Sequence, residues 1–181
     1  MIELKNDKLR FSFPEVHADA HMTIEFQRTL RIPDDGKTHS LPPGFGGFPL
    51  RHVDDFAAKI PALWSEHGGI MMPMFQSEAM WLNFTSPEGY PFLVKIATGK
   101  INAVTGEEWK TGANRDPQDY LVVPTQPWLD GYCFEKGEIR QFVAMPLGAD
   151  YTAEEQMTGK AEHGGVQIVV YPMKGQEWEK I

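Results

Sequence analysis

The stretch that most restricts the fold runs from Gln126 to Gly148, QPWLDGYCFEKGEIRQFVAMPLG. Trp128 to Phe134 and Glu138 to Met145 are rich in aromatic and β-branched residues. The turn between them, Glu135-Lys136-Gly137, ends in a residue that takes positive φ without steric cost, so the stretch reads as a β-hairpin. We expect this ribbon to form the middle of a bent antiparallel layer, with one face packed inward. It fixes architecture and carries no chemistry of its own.

The rest of the chain agrees with a β-rich reading. Aromatic residues make up 12% of the 181 positions, and such side chains bury large areas on a pleated surface. Glycines and prolines are spread along the chain, which favours many turns and short strands over long helices. Met1 to Phe13 alternates around an Asn6-Asp7 turn, and Met22 to Ile32 alternates over a long half-buried strand. Ile70 to Phe84 places a strand at each end, its methionines filling core gaps or lining a pocket. Tyr90 to Ala97 pairs with Ile101 to Val104 across Thr98-Gly99-Lys100, Tyr120 to Val123 is stopped by Pro124, and Val166 to Tyr171 is a buried strand.

Helical signals are fewer. Val53, Phe56, Ala57, Ile60, Leu63 and Trp64 recur at helical spacing, which predicts one moderate helix over about 53–66, kinked or broken near Ile60 by Pro61. Thr152-Ala153-Glu154-Glu155 matches a capping box, and Gly159 lies where a short helix over about 152–158 would end. Pro33 to Leu50 is too rich in Pro and Gly to hold a ladder; its Phe45 and Phe48 either pack it over the core or form a lid or partner-binding loop. Trp109 to Asp119 reads as polar surface loop and the tail after Pro172 as frayed. The fold class that follows is α+β, β-rich: a mainly antiparallel curved sheet or sandwich of about eight to ten short strands, in a single globular domain spanning 1–181.

The formal charge of −8 argues against a nucleic-acid partner, whose phosphates would be repelled. Lys95, Lys100, Lys110 and Arg115 are interleaved with Glu107, Glu108 and Asp116 and read as solvated surface. No window approaches the length of an apolar membrane span, the N-terminus has no apolar leader, and Cys133 is the only cysteine. We therefore expect a soluble, cytoplasmic protein without membrane contact.

Chemistry-bearing groupings are weak. His17 and His21 flank Asp19, but such a pair converges on a metal only on a helix and this segment enters a strand, so no metal and no other cofactor is expected. Glu162 and His163 join a carboxylate to an imidazole beside Gly164 and Gly165; with Asp130 and Tyr132 they are the first catalytic candidates, set against a plain turn launching Val166. Cys133 has no local cation to activate it and reads as a core thiol. Trp128, Tyr132 and Arg140 on the hairpin, with Phe45 and Phe48, are the candidate binding residues.

The runs KINAVTGEEW, QPWLDGY, KGEIRQFVAMPLG, YTAEEQ and EHGGVQI resemble the N-terminal part of an uncharacterised protein family of bacteria and fungi. The resemblance covers nearly the whole chain. It implies no activity, cofactor or catalytic residue, and it implies that related chains continue past Ile181, so that the 181 residues are a shorter form or a truncated one. Two functions fit the sequence. The first is a non-catalytic protein acting by protein–protein binding or self-assembly; the second is a small-molecule binder or enzyme using the 126–145 hairpin face with Glu162 and His163.

Overall fold

Alternation of large apolar residues with polar ones builds most of the architecture. The computed structural model describes the chain apart from Asp34, Gly36, Thr38, Lys136 and Gly137 and the side chains of Leu63, Phe134, Glu135 and Glu138; the tip of the expected hairpin turn lies outside the described residues. Strands occupy 38% of the chain and helices 12%, and among the described residues no helix reaches seven residues, so the β-rich expectation holds and packing of strands must supply the core.

The first sheet begins with β1 (Ile2–Lys5) and β2 (Lys8–Ser12), joined through Asn6 and Asp7, both at positive φ. Next comes β3 (His21–Thr29), whose Met22, Ile24 and Phe26 are buried. The Pro- and Gly-rich segment holds β4 (Gly44–Gly47), which pairs with β3. Its glycines make room where a Cβ at Gly44 would meet the side chains of Gln27 and Trp81, so low side-chain bulk, which argued against a ladder, is what admits this one. Phe48 and Leu50 then pack inward, and Phe45 stays exposed.

After β5 (Arg51–His52), the expected helix is two pieces: a 3-10 turn at Asp54–Lys59 and α1 (Ala62–His67), separated at Ile60 and Pro61. The proline break falls where the sequence placed it, but the apolar stripe does not face a core: Phe56 and Ile60 are half-buried and Trp64 is exposed. β6 (Ile70–Met71) pairs with β5, and β7 (Ala79–Thr85) lies against β3 along its whole length, Thr23 opposite Thr85 through Thr29 opposite Ala79.

The second sheet is built on β8 (Phe92–Thr98), which turns through Gly99 and Lys100, both at positive φ, into β9 (Ile101–Asn102). β10 (Leu121–Val123) flanks β8 on one side. The hairpin follows as β11 (Trp128–Leu129), β12 (Gly131–Glu135) and β13 (Glu138–Val143); β11 pairs with β7, and β12 with β13. β12 opens on a close approach of backbones that only glycine admits, since a Cβ on Gly131 would lie 2.1 Å from the Arg140 carbonyl oxygen. α2 (Ala153–Thr158) carries the capping box on Thr152 and Glu155, with Gly159 left-handed at its end. β14 (Val166–Pro172) pairs with β8, and α3 (Gly175–Trp178) closes the chain.

The order in the large sheet is β1-β2-β3-β7-β13-β12, and in the smaller one β10-β8-β14. The hairpin is thus at an edge of the large sheet, and the β3–β7 pair is its middle, because only those strands carry long buried alternation on one face. Phe26, Leu82, Phe84 and Phe142 from the large sheet meet Phe92, Val94, Ile96 and Val123 from the small one in a single core. The tail is not frayed: Trp178 stacks obliquely on the buried Tyr90 at 5.1 Å, and its indole N–H donates to Asp19.

Candidate interaction surface

β14 has the sequence VQIVVYP, with no charged residue in seven positions. It is the outermost strand of its sheet, and among the described residues nothing pairs with its outer side. The hydrogen-bond phase fixes which groups are left over. Gly99 N–H donates to the Gly165 carbonyl and Met173 N–H to the Pro91 carbonyl, so in an antiparallel ladder Gln167, Val169 and Tyr171 exchange bonds with β8. The N–H and C=O groups of Val166, Ile168 and Val170 consequently point to the open side, while their side chains lean on the core.

Both ends of this strand are pinned. At the start, the buried Glu154 carboxylate accepts three backbone N–H groups, from Glu162 and His163 at Oε1 (2.9 Å each) and from Gly164 at Oε2 (2.7 Å). Burial alone would raise its pKa, but the amides of Gly164, Glu162 and His163, with the nearby His163 side chain, bring it below its usual value. Gln167 accepts from Lys100 N–H and donates to the Gly164 carbonyl. At the far end Tyr90, wholly buried, donates its hydroxyl to the Met173 carbonyl at 2.6 Å. A strand fixed at both ends and open between them is already in the geometry that an added strand would need.

The outer face of the same sheet is apolar at one row: Val122, Leu93 and Tyr171 lie directly opposite one another on β10, β8 and β14, and Val122 and Tyr171 are exposed. Beside this row Lys95 departs from the expected solvated surface, being only 1% exposed. Its ammonium donates to the carbonyls of Lys110 and Gly112, pairs with Asp119 at 2.7 Å and lies 4.7 Å from the Trp109 ring centre. Burial would raise the Asp119 pKa, but the Lys95 hydrogen bond and the Asn114 amide hold it below its usual value. The segment read as surface loop is thus pinned over the sheet by a satisfied, buried ion pair. The cavity beside it, lined by Asn102, Lys110, Asn114 and Asp119 among others, holds about 10 Å³, the space of one water.

The residues singled out from sequence are dispersed. Tyr132 is half-buried against Phe142, with ring centres 5.8 Å apart, and burial raises its pKa while Arg140 opposes this. Trp128 and Arg140 are exposed and Asp130 half-buried on the hairpin; Phe45 is exposed, and Phe48 is buried beneath the Arg28 guanidinium at 4.3 Å. Glu162 and His163 have exposed side chains, the Glu162 carboxylate lying 3.5 Å from the Lys160 ammonium, and their backbone amides donate to Glu154. His17 stacks on Tyr90 and accepts from the Asp19 amide; His21 opens β3. Among the described residues no three His, Cys, Asp or Glu side chains gather as metal ligands would, and no helix is long and apolar enough to cross a membrane. The sequence reading missed Glu154, although the acidic residue next to the capping glutamate was a visible signal, and it missed the openness of β14, whose lack of charge was legible.

No protein-family model, no curated protein and no solved structure matches this chain.

Proposed function

We propose that this β-rich protein acts by binding, and that it does so by accepting a polypeptide strand along the open side of β14. The observation that carries the reading is the row of outward N–H and C=O groups at Val166, Ile168 and Val170 on a charge-free strand that is pinned at both ends. Edge strands are ordinarily protected by charge, proline or covering elements, and backbone pairing at such an edge supplies affinity while alternate side chains supply selectivity. The alternative, small-molecule chemistry at the hairpin with Glu162 and His163, finds less support, since those two side chains face solvent and Tyr132 packs on Phe142.

The test is an NMR titration of the dilute protein with a synthetic peptide copying residues 166–172. The amide signals of Val166, Ile168 and Val170 are expected to shift, and those of Gln167, Val169 and Tyr171 to move far less, because β8 already holds them. Uniform shifts, or none at saturating peptide, would overturn the reading.

A further inference from the structure

Resting on that reading, we infer that the strand accepted by β14 is β14 of a second copy of this chain, paired antiparallel about a two-fold axis at Ile168. Three features of the edge select this partner and this register. First, an antiparallel ladder joins outward-facing residues only to outward-facing residues. The alignment that places Ile168 opposite Ile168 sets Val166 against Val170 on both sides of the axis and uses all three outward residues of each copy, giving about six hydrogen bonds. Sliding by two residues loses one of the three pairs, and in one direction runs Val166 against Pro172, which has no N–H to donate.

Second, the seam is uncharged over all seven residues, so a chain of net charge −8 meets its copy where repulsion is least. Third, the first charges beyond the seam are complementary: Glu162 and Lys174 both lie six residues from Ile168. The same register therefore carries each Glu162 to the end of the seam where Lys174 of the second copy sits, once at each end. Both side chains are exposed, and the one ion pair Glu162 makes within its own copy, with Lys160 at 3.5 Å, lies on the surface, where such pairs contribute little, so the carboxylate can add Lys174. Such a contact is isologous and closes on itself, so it yields a dimer and not a fibre, with β10-β8-β14 continuing through its copy. The seam is shorter than a standard interface, which places the dimer among weak, reversible complexes.

The decisive measurement is sedimentation equilibrium from low micromolar to near-millimolar concentration, where the mass is expected to rise from 20.5 kDa to twice that. Val169 sits on the outer face opposite Gln167 of the second copy, so Val169→Glu and Val169→Lys each remain monomeric when alone, and an equal mixture of the two recovers the dimer. Glu162→Lys weakens dimerisation about tenfold, and Glu162→Lys combined with Lys174→Glu restores it. A protein that stays monomeric at every concentration, yet binds the 166–172 peptide with the alternating amide shifts, overturns the second-copy inference and leaves strand addition standing. A dimer indifferent to Val169→Glu and to both charge reversals overturns the register and the surface together.

Discussion

Replacing Glu154 by glutamine removes one charge and almost no volume, and the geometry sets its cost. The carboxylate is 3% exposed and receives three backbone N–H groups. Hydrogen bonds to a charged group are worth about 1.5–3 kcal/mol each, and an unsatisfied buried donor costs about 1–3 kcal/mol. Glutamine keeps one oxygen, which can serve Glu162 and His163 at neutral strength, but it turns an amide donor toward the Gly164 N–H. One charged bond is lost outright and two are weakened, so Glu154→Gln should lose about 2–4 kcal/mol. That is a large part of the stability of a domain of this size and small enough to leave it folded. Urea unfolding at neutral pH, with an unchanged slope, measures it. The pH dependence is a second check. Because the folded pKa lies below the usual 4.5, the stabilisation is complete above that pH and is lost as pH falls through the folded value, so wild type and variant should converge in acid. A difference under about 0.5 kcal/mol at neutral pH, within ordinary surface-substitution scatter, or a gap that persists in acid, would refute the account.

Two further substitutions test how the sheets are held. Lys95→Met leaves Asp119 and two carbonyls facing a buried methionine and should cost about 3–5 kcal/mol, whereas Lys95→Met with Asp119→Leu should recover part of the loss, as thermal unfolding of the pair would reveal. Gly131→Ala forces a Cβ to 2.1 Å from the Arg140 carbonyl oxygen; the hairpin must shift, at about 2–3 kcal/mol, and amide exchange should accelerate across Tyr132 and Gln141 while β8 stays protected.

Local signals were legible wherever neighbours in sequence decide the outcome. Alternation marks β1, β2 and β3, the Asn6-Asp7 and Gly99-Lys100 turns carry residues that tolerate positive φ, the capping box marks α2, and Pro61 marks the helix break. Failures arose where distant residues decide. Lys95 falls on the face of β8 opposite Val94 and Ile96, which by alternation is outward; only carbonyls from Lys110 and Gly112, brought back by a long loop, turn it into a buried residue. The tail looked frayed because Trp178 is a lone aromatic among charges, and its partners Tyr90 and Asp19 lie far away in sequence. The hairpin is the clearest local structure in the sequence, yet it lies at an edge and not in the middle of the layer, because sheet order is set by which strands bury a full face, a property no single hairpin carries. The same limit applies to the site: the emptiness of charge in VQIVVYP was visible, and that one side of it lies open was not.

The protection given to two other sheet ends, β1 and β10, is what makes the open side of β14 informative. β1 carries Glu3 and Lys5 in an exposed strand of four residues, and charges along an edge discourage an incoming chain. β10 is only three residues long and runs directly into Pro124, which cannot donate to a neighbour. Along Val166–Tyr171 none of these devices is present: β14 is longer than either strand, uncharged and rich in β-branched residues, and its one proline, Pro172, stands only at its last position. An edge of that composition left to fray would be an aggregation site, yet Glu154, Gln167 and Tyr90 hold it extended. Under the proposed strand addition, rigidity at both ends would restrict pairing to a strand of matching length, and the short seam between Gly165 and Met173 would take one partner. An edge with no partner would leave the outward N–H and C=O groups of Val166, Ile168 and Val170 without a protein hydrogen bond, and strand addition is the proposal that gives those three pairs of groups a role.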